Sequence, residues 1–242
     1  MSTVHLIASE IEPAANTAPR CNSRRDGVAR AATARGFLVQ LVAREAPLLE
    51  RGAIWLRSAG RQLASLGPSA AGPAATCERL ALETLGLREQ LKVLAHHLVA
   101  RWNRTEGRRR LDVSALLEQP VTGAAAELVS LHEQHAAGPT PWVELAVLRP
   151  LEQMLAGVVP LAIDVAVVDD SDLAAAARLF GAREQRARAL ADALAELVAA
   201  DPRRAPLVAE AEEQAIAIFT KLLTECAKVG PELDCWRYGF VC

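Results

Sequence analysis

TCERLALETLGLREQLKVLAHHLVARW, residues 76–102, decides the fold class. Its apolar positions Leu80, Leu87, Leu91, Leu94 and Leu98 recur at intervals of three, four and seven. That is the spacing of one face of an α-helix, because 3.6 residues per turn bring such positions into line. Thr76 is placed to cap the helix, which should end near Trp102.

Working upstream, GPSAAGPAA (67–75) reads as a linker. Before it stand two helical stretches, Gly27–Glu45 and Leu48–Leu66, divided at Pro47, which cannot donate a backbone hydrogen bond. Downstream come a basic loop, RWNRTEGRRR (101–110), a short helix around Ala115 and a helix over Thr122–Ala137. Thr140 followed by Pro141 is a start signal, an N-cap with proline at the first helical position. The segment Trp142–Val168 carries Pro150 and Pro160 and is expected to be a buried, kinked helix. Ser171 should cap a helix reaching Ala200. After the turn DPRRAP, a last helix places Val208, Ala211, Ala215, Ile218, Leu222 and Cys226 inward and stops at Gly230-Pro231. The short connection predicts that these last two helices form an antiparallel hairpin.

The reading is therefore all-α, an irregular bundle of seven or eight helices. Residues 1–25 are expected to be a flexible arm, 26–230 the bundle domain and 231–242 a tail rich in aromatic and cysteine residues. Composition agrees. The 48 alanines and 34 leucines make up a third of the 242 residues, and only nine side chains are aromatic. These are the strongest helix formers with few strand formers, which excludes an all-β chain.

The net charge of −2 hides an asymmetry. Residues 1–110 carry 17 basic and 9 acidic side chains, and residues 111–242 carry 10 and 20. Arg101, Arg104, Arg108, Arg109 and Arg110 form a basic patch, with Trp102 beside it for stacking. Nucleic-acid proteins usually carry an overall positive excess, so a nucleic-acid partner is not favoured. Five cysteines without a C-x-x-C pair indicate neither a disulfide framework nor a structural zinc site. With no secretory signal and no apolar stretch long enough to span a bilayer, a cytoplasmic setting is expected.

Four of the five histidines fall in two groups, His96–His97 and His132-Glu133-Gln134-His135. His132 and His135 share a helix face, and His97 sits beside the leucine stripe. If the two helices pack together, His97, His132 and His135 would offer nitrogens to zinc, iron or haem, with Glu152 or Asp164 as a carboxylate. Seven helices over this length resemble the outline of haem-oxygenase-like proteins, in size and helicity alone. That resemblance implies a metal or haem cofactor. No E-x-x-H or H-E-x-x-H accompanies it. Asp169-Asp170-Ser171-Asp172 is similar to the magnesium-binding motif of terpenoid synthases, but it also suits an ordinary helix start.

The chain closes on DCWRYGFVC, where Trp236, Tyr238 and Phe240 alternate between Cys235 and Cys242. Such a segment suits three roles: folding back into a groove, docking on a partner, or being itself modified while the bundle carries it. The leading function is a non-enzymatic interaction protein, an adaptor, accessory factor or scaffold. It would bind a protein partner through a helix face or the aromatic tail, and self-association is open to it. The alternative is a metal- or haem-dependent helical enzyme built on the histidines.

Overall fold

The computed structural model describes residues 23–105, 110–136, 140–164 and 171–229. Among them are eight α-helices and no strand: α1 (Ser23–Ser65), α2 (Ala71–Thr105), α3 (Val113–Leu117), α4 (Ala124–Ala136), α5 (Pro141–Asp164), α6 (Ser171–Gly181), α7 (Arg183–Ala200) and α8 (Ala205–Val229). The all-α bundle is thus the observed architecture. Helix α1 begins at Ser23, inside the expected arm, while residues 1–22 and the tail from 230 lie outside the described residues.

Helices α1 and α2 make the largest contact of the fold and run antiparallel. Gly60 allows this closeness, since a Cβ there would stand 3.1 Å from that of Cys77. Their connection is tighter than the glycine- and proline-rich stretch suggests. Gly67, at φ 104°, turns the chain into a short 3-10 segment, Pro68–Ala70, and α2 starts at once with Ala71. Thr76 is consequently inside the helix rather than its cap.

Two further expectations are corrected. Pro47 does not divide α1, which continues for 43 residues through it. A proline costs one backbone bond, and burial of Leu38, Leu41, Leu48, Leu49 and Leu56 on both sides offsets that loss. The helix over 171–200 is broken instead at Gly181-Ala182, so that Arg183 becomes the first residue of α7.

The hairpin expected of α7 and α8 is not formed. Both pack on α5, which also touches α1, α4 and α6 and is the central helix of the bundle. Leu145, Val147, Leu151, Leu155 and Val158 are buried around its circumference. A helix with so broad an apolar surface, with Gln153 and Gly157 left exposed, gains most when several neighbours pack on it, and that outweighs the short α7–α8 connection. Pro150 and Pro160 both lie inside α5, which runs from Pro141 to Asp164 as one helix. Helices α4 and α8 pair antiparallel, with Lys221 bonding Glu127 and Glu225 bonding the Ala124 N–H.

Candidate functional site

Eight polar or charged side chains are buried among the described residues, and five of them meet in the middle of the bundle. Glu45 on α1 occupies a stripe position, four residues after Leu41 and seven after Leu38. Glu152 comes from α5, Thr84 from α2, Arg183 from the start of α7 and His132 from α4. With Trp55, Arg186 and Phe219 they line a cavity of about 30 Å³, room enough to hold water.

At one end the Arg183 guanidinium, 1% exposed, lies between two carboxylates. Its Nη1 donates to Glu45 and its Nε donates to Glu152 at 2.6 Å. Arg186 adds a second cation, donating to the other oxygen of Glu152 at 3.0 Å and to Thr84 Oγ1 at 2.6 Å. Burial pushes the Glu152 carboxyl above its ordinary value, against the pull of Arg186. Burial and the neighbouring Arg186 push Arg183 well down. A guanidinium nonetheless keeps its proton in proteins, so the centre is a charged network in which the cations answer the carboxylates. The N-terminal dipole of α7 points the same way, favouring negative charge where Glu45 and Glu152 stand.

At the other end His132, 1% exposed, donates from Nδ1 to Glu144 Oε1 at 2.7 Å. Its ring stacks on Trp55, with centroids 4.0 Å apart and planes 14° from parallel. The pair fixes the imidazole's orientation, as second partners of functional histidines do. Buried atoms without a protein partner remain at both ends, namely Glu45 Oε2, Arg183 Nη2 and Glu144 Oε2. A guest in the cavity would therefore have to accept from Arg183 and donate to Glu45, which suits water or a hydroxyl group.

The histidines named from sequence are not brought together. His132 is at the cavity, whereas His97 is 63% exposed and lies 3.7 Å from Asp172 in the first turn of α6. His135 stands half-buried in the last turn of α4. Among the described residues no group of three or more His, Cys, Asp or Glu side chains could hold a metal ion. The residues that compose this site instead pair acids with arginines, and Arg183 fills the cationic position between Glu45 and Glu152.

Of the basic patch, Arg101 is half-buried and Arg104 and Arg110 are exposed, while Arg108 and Arg109 lie outside the described residues. Trp102 is buried at 4% and packs in the core, so it does not serve as a stacking platform. Cys235, Trp236, Tyr238, Phe240 and Cys242 also lie outside the described residues. Cys77 and Cys226 are free and buried. Burial drives both thiols up to about 12, assisted at Cys77 by the charge of Glu144. Neither is a thiolate nucleophile at neutral pH.

Sequence reasoning reached His132 and Glu152 but missed Glu45, Glu144, Arg183 and Arg186. A signal existed: Glu45 continues the Leu38–Leu41 stripe, and Arg183 stands at helical spacing from Ala187 and Leu190. A charge on an apolar face is the mark of a buried pair.

Fold and site together define an all-α bundle with a self-neutralised ionic centre. No family model, no curated protein and no solved structure matches this chain.

Proposed function

We propose that the chain is a non-enzymatic interaction protein whose contact surface is the outer face of α2 and whose partner is a second copy of itself. The observation that carries this reading is the exposure of Leu82 at 63% and Val93 at 58%. They are eleven residues apart, three helical turns, and so lie on one line. Gly86 stands between them with nothing near its Cβ position, which would let another helix approach closely. Ala100 extends the line, and Ile54 of α1 is exposed at the level of Leu82.

The line is self-complementary. A two-fold axis between Gly86 and Glu89 sets Leu82 against Val93 of the other copy and Glu78 near His97 and Arg101 of the other copy. Glu78 then faces the more basic C-terminal part of α2. A reducing, cytoplasmic setting belongs to the same reading, consistent with free Cys77 and Cys226. No helix among the described residues is long and apolar enough to cross a membrane.

Light scattering over a dilution series tests the reading. The wild type should exceed the 25.9 kDa chain mass at high concentration. Leu82→Asp with Val93→Asp should weaken association by at least about tenfold, because burying the four carboxylates of the two copies unpaired is unfavourable. A strictly monomeric wild type overturns the reading.

A further inference from the structure

The outward side of α1 carries a protrusion and a hollow on one line. Pro47, Ile54 and Arg61 recur at intervals of seven, about two helical turns, and so lie above one another. Ile54 stands out from that line at 62% exposure. Two turns before it, at Pro47, the line opens into a concavity of about 110 Å³. Its walls are Ala43 and Pro47 of α1, Pro120 and Val121 of the α3–α4 connection, and Ala125 of α4. Arg44 stands at its edge and is held by Glu225 at 2.6 Å, so its charge is already answered.

A protrusion and a hollow on one line fit each other about a two-fold axis midway between them. The midpoint of Pro47 and Ile54 lies between Glu50 and Arg51. Two contacts give the register of α1 against α2: Gly60 stands beside Cys77, and Arg88 donates to Glu50 at 2.8 Å. Counted along this antiparallel pair, the midpoint on α1 is level with Leu87 and Arg88 of α2. The axis that sets Leu82 against Val93 of the other copy, between Gly86 and Glu89, falls at the same height. Arg88 also donates to Glu89, at 3.2 Å, and so bridges the exposed lines of α1 and α2, which lie side by side.

We propose that this concavity is the socket for Ile54 of a second copy, so that α1 pairs with α1 about the axis that pairs α2 with α2. The contact rests on α2 meeting its own copy, as proposed above, and gives that pairing its register. An apolar cavity of roughly 150 Å³ accepts the six carbons of benzene, so the four side-chain carbons of isoleucine need about 100 Å³. The socket meets that demand with the apolar surfaces of Ala43, Pro47 and Val121. Symmetry fills two sockets per pair, one on each side of the axis. The charges nearest the axis, Glu50 and Arg51, are bonded within their own copy to Arg88 and Glu133, so closing the faces strands neither. Orientation follows as well. A parallel pair would set Ile54 against Ile54 and leave both sockets open, whereas the antiparallel pair fills them.

Light scattering over a dilution series of the full chain, beside the Leu82→Asp and Val93→Asp double variant, tests this. Ile54→Ala should weaken association about tenfold, since both sockets lose their occupant. Val121→Phe, which fills the socket from its own wall, should weaken it comparably, and combining the two should add little. Ile54→Cys with Val121→Cys should cross-link two copies under a mild oxidant, in far higher yield than either single variant. A wild type that associates through α2 but is indifferent to Ile54→Ala overturns the socket and spares the α2 pairing. Weakening by Ile54→Ala but not by Val121→Phe, or fully additive losses, places Ile54 elsewhere and overturns the socket as well. A strictly monomeric wild type overturns both.

Discussion

The two polar groups that face the central cavity solve the same problem differently. At the Arg183 end, four charged side chains from three helices are locked together, and Arg183 is the member whose removal leaves Glu45 without its bonded cation. At the His132 end, one imidazole has one carboxylate and one aromatic face. The first arrangement draws its strength from fixed charge in a low-dielectric interior. The second draws as much from ring stacking and packing as from its hydrogen bond. Breaking a buried charge pair is costly chiefly because of the charge left behind, so the two ends should respond unequally to truncation.

The largest effect should come from Arg183→Met, which leaves Glu45 and Glu152 buried together. A loss of about 3–5 kcal/mol is expected, read as a shift of the denaturant midpoint. Adding Glu45→Gln and Glu152→Gln to the same chain should restore most of that loss. A single-variant loss under about 1 kcal/mol would show that the charges are not held as described.

His132→Ala should cost less, about 2–4 kcal/mol, combining the lost stack on Trp55 with a stranded Glu144. His132→Gln keeps a donor for Glu144 and should recover part of it. If the glutamine variant is no better than the alanine one, the Glu144 bond contributes little and stacking dominates that end.

The smallest effect sharpens the comparison from outside the cavity. Burial raises the Cys77 and Cys226 thiols from 9.0 to about 12, so the folded chain holds protons that the unfolded chain has released. Their contribution is therefore complete below pH 9 and is lost as pH climbs toward 12. Because Glu144 adds to the shift at Cys77, Glu144→Gln should lower that thiol's titration, followed by thiolate absorbance. Burial is the larger cause, so most of the shift should remain. An unchanged titration would mean that the Glu144 charge does not reach Cys77.

The helical segments were legible because each rests on local rules. The Leu80–Leu98 stripe, the Thr140-Pro141 start and the short helix at Ala115 all stand where spacing and capping put them. Local rules failed where tertiary packing overrode them. Pro47 was outweighed by apolar burial on both sides, and the α7–α8 hairpin lost to the broad apolar surface of α5. His132 stood out as a histidine on a leucine face. Its partners Glu144 and Trp55 lie on other helices, at separations that periodicity within one helix cannot relate.

By itself the sequence determined the class: alanine and leucine at helical spacing, with few strand formers, can bury apolar area only as packed helices. It also carried an unread signal, Glu45 and Arg183 on apolar stripes, that charges enter the core. Only the tertiary structure decided that those charges meet each other, and that His97 stays in water while His132 stacks on Trp55. Each of these depends on which helices become neighbours, and that choice is made by the sum of buried area over the whole chain.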